Sequence, residues 1–490
     1  MIKNYLDNIS FKNLNLSEDF KKFLINNLNF DQLMAVINLN GYFLVLAGAG
    51  SGKTRVIIYR ALLLLELQTP SNNILILTFT RKAIIEINDR ILTFLPTSNI
   101  HIETFHSLAY KFLKKYSQNK FFKLLTIDEI ITLSKKSIYY KDIKKLFCHD
   151  FIVNFLSVSK EIFFKSYTFK KLEKKQQLII KMFFQDLDNL KKIENFYTFD
   201  DLLINFYNLL KLDLLPLTFQ YIMVDEYQDT DKIQVDILKL LSKTGNLMVV
   251  GDDYQSIYSF KGTLIDNILN FYNDFSSAKT ITLKKNYRST HEIVTLSNEF
   301  SKNLKQCFHK KLISENISLK KPTLTIFKNS LDEINFIYNQ IKNILKKDNN
   351  ITIGILFRNY IYMEDFIKFF KSLNLEFYIS PNPFLENIFK NINFSSNSND
   401  KISFLTIHSS KGLEWDYVFI PLLLDGIIPT SIGNFNYEEE KRLFYVALTR
   451  AKKEIFLSYP LSYYNDFGFF NVPSPFIETI SSNFINIKRG

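Results

Sequence analysis

At 490 residues the chain is long enough for several domains with substantial cores; it has no apolar run near the ~20 residues of a membrane span, and its opening, MIKNYLDNISFKN, does not read as a signal or transit peptide. Its 61 Lys and Arg against 49 Asp and Glu give +12, a balance that suits a polyanionic partner without identifying one. Cys148 and Cys307 form neither a disulfide framework nor a zinc pattern, so a reducing, cytoplasmic compartment is expected.

Apolar runs followed by polar or glycine-containing loops, and then by helical periodicity, predict buried parallel strands. They lie at Tyr42–Leu46, Ile74–Leu77, Tyr221–Val224, Leu247–Val250, Ile351–Phe357 and Tyr417–Leu422. Two groups of such strands predict two doubly wound α/β domains, with ligands at the carboxyl ends of the strands. Residues 108–199 are Lys- and Phe-rich, helically periodic and free of proline and glycine. They predict a helical insertion without a convincing strand. The expected layout is 1–107 and 200–280 for the first α/β domain, 108–199 for its insertion and 281–490 for the second. Leu385–Asp400, ending in FSSNSND, reads as a polar loop of the second domain.

After the first strand comes Ala47-Gly48-Ala49-Gly50-Ser51-Gly52-Lys53-Thr54, leading into a helix that begins TRVIIYRALLLLE. Small residues let backbone N–H groups close around phosphate oxygens, and the helix presents its positive end to them. Lys53 is expected to neutralise the β- and γ-phosphates of ATP, and Thr54 to hold Mg²⁺ through its hydroxyl. Arg55, next on the helix, is placed beside the nucleotide. Ala47 stands where the stricter pattern has Gly. A second requirement is an acidic strand end, and Ile222-Met223-Val224-Asp225-Glu226 meets it. Asp225 is expected to bind Mg²⁺ and Glu226 to polarise the attacking water. These two motifs predict an Mg-ATPase. The six histidines are scattered, so Mg²⁺ is the only metal expected.

Further motifs follow in order. They are Leu28-Asn29-Phe30-Asp31-Gln32; TFTRKA at Thr78–Ala83; TFHS at Thr104–Ser107; FDDLL at Phe199–Leu203; and DEYQDT at Asp225–Thr230. Then come GDDYQSIY at Gly251–Tyr258, NYRST at Asn286–Thr290, HSSKGLE at His408–Glu414 and YVALTRA at Tyr445–Ala451. This set, spanning most of the chain, resembles superfamily 1 helicases of the UvrD/Rep/PcrA type. The resemblance implies two RecA-like P-loop domains in tandem, the first carrying the helical insertion.

It also implies roles. Gln32 would read the adenine edge, Tyr287 would stack on the base, and Glu414 would contact ribose or phosphates. Gln255 would lie beside the γ-phosphate and report it to the DNA side. Arg288 and Arg450 would reach the γ-phosphate when the domains close on ATP. Phe79, Tyr258 and Phe260 would stack on unpaired bases, with Thr80, His106, Lys261 and His408 also facing DNA. Phe260 stands where Trp is common, Lys261 where Arg is, and Arg81 where Asn is usual. Arg358 is read as structural.

The family's large insertion in the second domain is replaced here by Leu385–Asp400. The expectation is an ATP-dependent 3′→5′ DNA helicase or translocase of repair or replication, acting on single-stranded and 3′-tailed duplex DNA and not on membranes. The alternative is a single-strand translocase that strips bound proteins and unwinds poorly without a partner.

Overall fold

The structure, a computed structural model, describes residues 11, 14–96, 99–117, 121–157, 160–165, 167–213, 215, 219–259, 265–348, 350–379, 401–431, 436–465 and 468–490. Leu385–Asp400, Phe260 and Lys261 lie outside these described residues. Contacts divide the chain into two compact units. One comprises Met1–Leu46, Lys53–Gly251 and Tyr258–Ile281; the other comprises Ala47–Gly52, Asp252–Ile257 and Thr282–Gly490.

The sheet of the first unit contains β1 (Gly41–Ala47), β2 (Ile74–Thr78), β3 (His101–Thr104), β4 (Tyr221–Val224), β5 (Asn246–Gly251) and β6 (Lys279–Leu283). Their order is β3-β2-β4-β5-β1-β6. β2 pairs in parallel with β3 and β4, β4 with β5, and β5 with β1. The central strands are buried along nearly their whole length. Burial on both faces makes such strands continuous apolar runs, which is why all four were predicted. β3 (HIET) and β6 (KTITL) were not. They are the sheet's two edges and only partly buried, so polar residues dilute their signal.

The residues between β3 and β4 are mostly helical, from Phe105–Tyr116 to the long helix Lys174–Glu194. They carry a Phe-rich core of their own, in which Phe155 and Phe183 pack with Leu133, Ile143, Ile152 and Ile180. One correction is needed. Lys123–Leu124 and Phe196–Tyr197 form a short parallel pair, too brief to leave a period-two pattern. Thr126 and Thr198 start helices here as capping boxes with Glu129 and Asp201.

The main sheet of the second unit contains β7 (Thr323–Phe327), β8 (Ile353–Phe357), β9 (Tyr378–Ile379), β10 (Ile402–Thr406), β11 (Trp415–Ile420), β12 (Ala451–Pro460) and β13 (Asn486–Arg489). Their order is β9-β10-β8-β11-β12-β7-β13, parallel throughout. The predicted runs at 351–357 and 417–422 correspond to β8 and β11, displaced by two residues at their starts. Gly354 is required by close approach, since a Cβ there would lie 2.7 Å from the Trp415 ring. β12 escaped prediction because it opens with Lys452, Lys453 and Glu454 at its more exposed end. Among the described residues no helix is long and apolar enough to cross a membrane.

Candidate nucleotide site

The phosphate loop follows β1 and ends in the helix Lys53–Glu66. Gly50 and Gly52 have φ of +69° and +83°, where a side chain is strained. Ser51 tightens the turn, its Oγ donating to the Gly48 carbonyl at 2.8 Å. The N–H groups of a helix's first turn have no partners within the helix, and the positive end of its dipole favours an anion.

Lys53 Nζ donates to Glu226 Oε2 at 2.7 Å, and Gln228 Nε2 reaches the same oxygen at 2.5 Å. Thr54 Oγ1 donates to Asp225 Oδ2 at 3.3 Å, while Asp225 Oδ1 accepts from the Glu226 N–H at 2.9 Å. Burial pushes the Asp225 carboxyl up to about 7, reinforced by the Glu226 charge and opposed by Lys53 and Thr54. Glu226 adopts φ +51°, a left-handed conformation uncommon for a side-chain-bearing residue, of the kind that clusters at functional sites. One hydroxyl and adjacent carboxylates form a hard oxygen donor set, which fits Mg²⁺.

In the second unit, Arg288 Nε meets Glu414 Oε2 at 2.5 Å, and Glu414 Oε1 takes Lys452 at 2.9 Å. Although burial opposes it, Arg288 and Lys452 together hold the Glu414 carboxyl below its ordinary range. Arg450 is buried. It donates to the carbonyls of Val446 (2.9 Å) and Leu413 (3.2 Å), to Thr449 Oγ1 (3.1 Å) and to Gln255 Oε1 (3.3 Å). Gln255 Nε2 donates in turn to Asp252 Oδ2 at 2.6 Å. Asn286 Nδ2 donates to the Ala49 carbonyl at 2.7 Å, and the Tyr287 N–H to the Gly50 carbonyl at 2.9 Å. Tyr287 is 48% exposed, with Lys285 Nζ 5.4 Å from its ring centroid.

The remaining sequence-predicted residues sit in simpler surroundings. Gln32 is buried, in a capping box with Asn29 at the start of the helix Phe30–Ile37. Arg55 is exposed, its guanidinium 5.4 Å from the Tyr59 ring. Phe79, Tyr258, His106 and His408 are half-buried, and Thr80 is the exposed N-cap of the helix Arg81–Phe94. Burial pushes His106 down to about 4, so it is neutral near pH 7, with Phe199 edge-on at 5.4 Å. Arg358 pairs with Glu440, its NH2 at 2.6 Å.

Sequence reasoning missed four polar residues that hold the candidate groups within their own units. Gln228 is fully buried and holds Glu226. Asn286 fastens the phosphate loop and also accepts from the N–H groups of Arg288 and Ser289. Asp252 anchors Gln255. Arg60, pushed down to about 9 by burial, donates to the carbonyls of Ala35, Asn38 and Leu39, tying the helix that bears Gln32 to the helix of the phosphate loop. The first three stand inside recognisable motifs. Arg60 left no signal beyond a charge in an apolar helical run.

Residues 28–276 match the family model described as UvrD/REP helicase N-terminal domain, and residues 281–388 and 380–462 match the UvrD-like helicase C-terminal domain. The chain is 34% identical over 369 residues to a probable DNA helicase II homolog of Mycoplasma capricolum, covering 70% of the chain and 51% of that protein. It is 29% identical over 505 residues to a probable DNA helicase of Mycoplasma pneumoniae, covering 94% and 88% respectively. To the ATP-dependent DNA helicase PcrA of Staphylococcus aureus it is 33% identical over 342 residues, covering 67% and 46%. The chain therefore spans about half the length of the first and third of these relatives and most of the second. With its phosphate loop, acidic strand end and arginine motifs in family order, the chain belongs to the UvrD-like helicases.

Proposed function

We propose that the chain hydrolyses ATP with Mg²⁺ to move 3′→5′ along single-stranded DNA and to unwind 3′-tailed duplexes, in the cytoplasm, in repair or replication. The observation that carries this is the meeting of Lys53 and Thr54 with Glu226 and Asp225, 173 and 171 residues further along the chain. In this reading 1–107 and 200–280 form the first RecA-like domain, 108–199 its insertion and 281–490 the second.

Lys53 leaves Glu226 for the β- and γ-phosphate oxygens when ATP enters the loop. Glu226, still held by Gln228, then accepts a proton from the water whose oxygen attacks the γ-phosphorus, as the bond to the β-phosphate oxygen breaks. Thr54 and Asp225 would hold Mg²⁺, which would neutralise phosphate charge. Arg288 and Arg450 stabilise the charge that develops on the transferring group. Tyr287 supplies an exposed ring for the adenine and Gln32 reads its edge; Phe79, Tyr258 and Phe260 offer stacking surfaces to unpaired bases. The test is ATP hydrolysis with and without single-stranded DNA, followed by unwinding of 3′- and 5′-tailed duplexes. DNA-stimulated hydrolysis with unwinding of the 3′-tailed substrate alone is expected, and preference for the 5′ tail would overturn the polarity.

One observation favours the second reading, a translocase that strips proteins and unwinds poorly. The C-terminal family model matches in two pieces, 281–388 and 380–462, which overlap at 380–388 and so leave no room between them for a large insertion near Leu385–Asp400. Displacement of a bound protein, compared with strand displacement at matched salt, separates the two.

A further inference from the structure

We propose that Lys310 is a positioning residue of the nucleotide site, acting through Asp252 to fix the side chain of Gln255 and, through Gln255, the guanidinium of Arg450. The inference rests on the ATPase reading above and deepens it.

The side chain of Lys310 is 1% exposed, and those of Asp252 and Asp253 are fully buried. Its Nζ donates to Asp252 Oδ1 at 2.7 Å, also pairs with Asp253, and lies 4.1 Å from the centroid of the Tyr254 ring. Burial pulls this lysine down, yet the two carboxylates carry it above the ordinary lysine range, so it is a cation. The two carboxylates then lead in different directions. Asp253 Oδ2 accepts from the Phe308 N–H at 2.6 Å, fastening the segment that bears Lys310. Asp252 Oδ2 accepts from Gln255 Nε2 at 2.6 Å, and Gln255 Oε1 accepts from Arg450 NH2 at 3.3 Å.

The order of these bonds follows from donor chemistry. A carboxylate only accepts, so Asp252 admits the Gln255 amide in one orientation, NH₂ toward the aspartate and oxygen toward Arg450. A guanidinium only donates, so it enforces the same orientation from the other end. Two carboxylates buried together are tolerable because a buried cation stands between them. Lys310 thus maintains the charge on which the amide's orientation depends. A chain of polar bonds runs from it to two residues assigned to the γ-phosphate.

The test compares Lys310→Met, Asp252→Asn and Asp253→Asn, each in the wild-type protein and in Gln255→Ala. We expect Lys310→Met and Asp252→Asn to lower kcat roughly tenfold or more while KM for ATP moves less than about threefold. Both effects should largely vanish in Gln255→Ala. Asp253→Asn should leave kcat within about threefold, since its branch ends on backbone. Equal losses with and without Gln255, or a loss that tracks only the folded fraction, would make Lys310 a purely structural residue. Thermal melting of the same variants adds a readout independent of turnover. Non-additive shifts for Lys310→Met and Gln255→Ala support the chain of bonds, and additive shifts overturn it. An inactive wild-type protein would sink the ATPase reading, and the melting cycle would still decide the coupling.

Discussion

Lys53 Nζ lies 2.7 Å from Glu226 Oε2, an ion pair between the first residue of the helix after the phosphate loop and the second residue beyond β4. The pair holds both side chains in place, and in the proposed reaction a nucleotide competes for the lysine. Lys53→Ala and Glu226→Gln should each lower ATP hydrolysis by at least ~10²-fold. Binding of a fluorescent ATP analogue should survive in Glu226→Gln, which keeps the lysine. Near wild-type turnover in either variant would show that the site has been misassigned.

Arg450 uses its planar fork to reach two carbonyls, a hydroxyl and the Gln255 amide at once. Lysine cannot reproduce that set from a single ammonium. Arg450→Lys should therefore lose most hydrolysis, on the order of 10²-fold, despite keeping the charge. Steady-state ATPase assays on a variant with an unchanged circular dichroism spectrum provide the check.

Gly50 is exposed to two constraints. Its φ is +69°, and an added Cβ would lie 2.6 Å from Arg288 Cβ and 3.0 Å from Asn286 Nδ2. Gly50→Ala should cost about 1 kcal/mol or more of stability, visible in urea melts, because the left-handed strain and the collision add. It should also weaken nucleotide binding. A variant as stable as wild type with normal ATP affinity would contradict the loop geometry.

Glu333 supplies a pH dependence remote from the nucleotide site. Its Oε1 accepts from Ser458 Oγ at 2.5 Å and from the Leu422 N–H at 3.1 Å, whereas Oε2 has no partner among the described residues. Burial pushes this carboxyl up to about 7 from 4.5. A raised carboxyl contributes stability fully present below its unfolded value and lost as pH rises through its folded value. Stability should thus fall between about pH 4.5 and 7, by a few kcal/mol at most, and Glu333→Gln should flatten that dependence. Denaturant melts of both proteins at pH 5 and pH 8 measure it; parallel curves would rule it out.

Phe79 and Tyr258 are half-buried on loops after β2 and β5. Phe79→Ala and Tyr258→Ala should each weaken single-strand binding by roughly 1–3 kcal/mol with little sequence bias. Fluorescence anisotropy with mixed-sequence and homopolymeric strands at one salt concentration tests this. Normal affinity in both variants would return the two aromatics to the core.

The phosphate loop and the acidic strand end were legible in the sequence because each is local. A phosphate loop needs its glycines, lysine and threonine side by side, and β4 announces Asp225 by four apolar residues before it. The four buried central strands of the first sheet were equally legible, since burial on both faces favours unbroken apolar runs. The interior strands β7, β10 and β12 of the second sheet carry polar residues and were not predicted. Edge strands β3 and β6 were not, for the opposite reason.

What the tertiary structure alone decided is which polar residue meets which. Nothing in the spacing of Lys310, Asp252, Gln255 and Arg450 says that they form one buried chain, because their contacts join residues up to 195 positions apart. Nor does the sequence reveal that Gln228 steadies Glu226, or that Asn286 grips the Ala49 carbonyl. A motif records the residue types that a reaction requires, since those follow from bond chemistry at one place. The partners of a buried polar group are settled by packing, which brings distant segments together and leaves each donor and acceptor only the neighbours that the fold supplies.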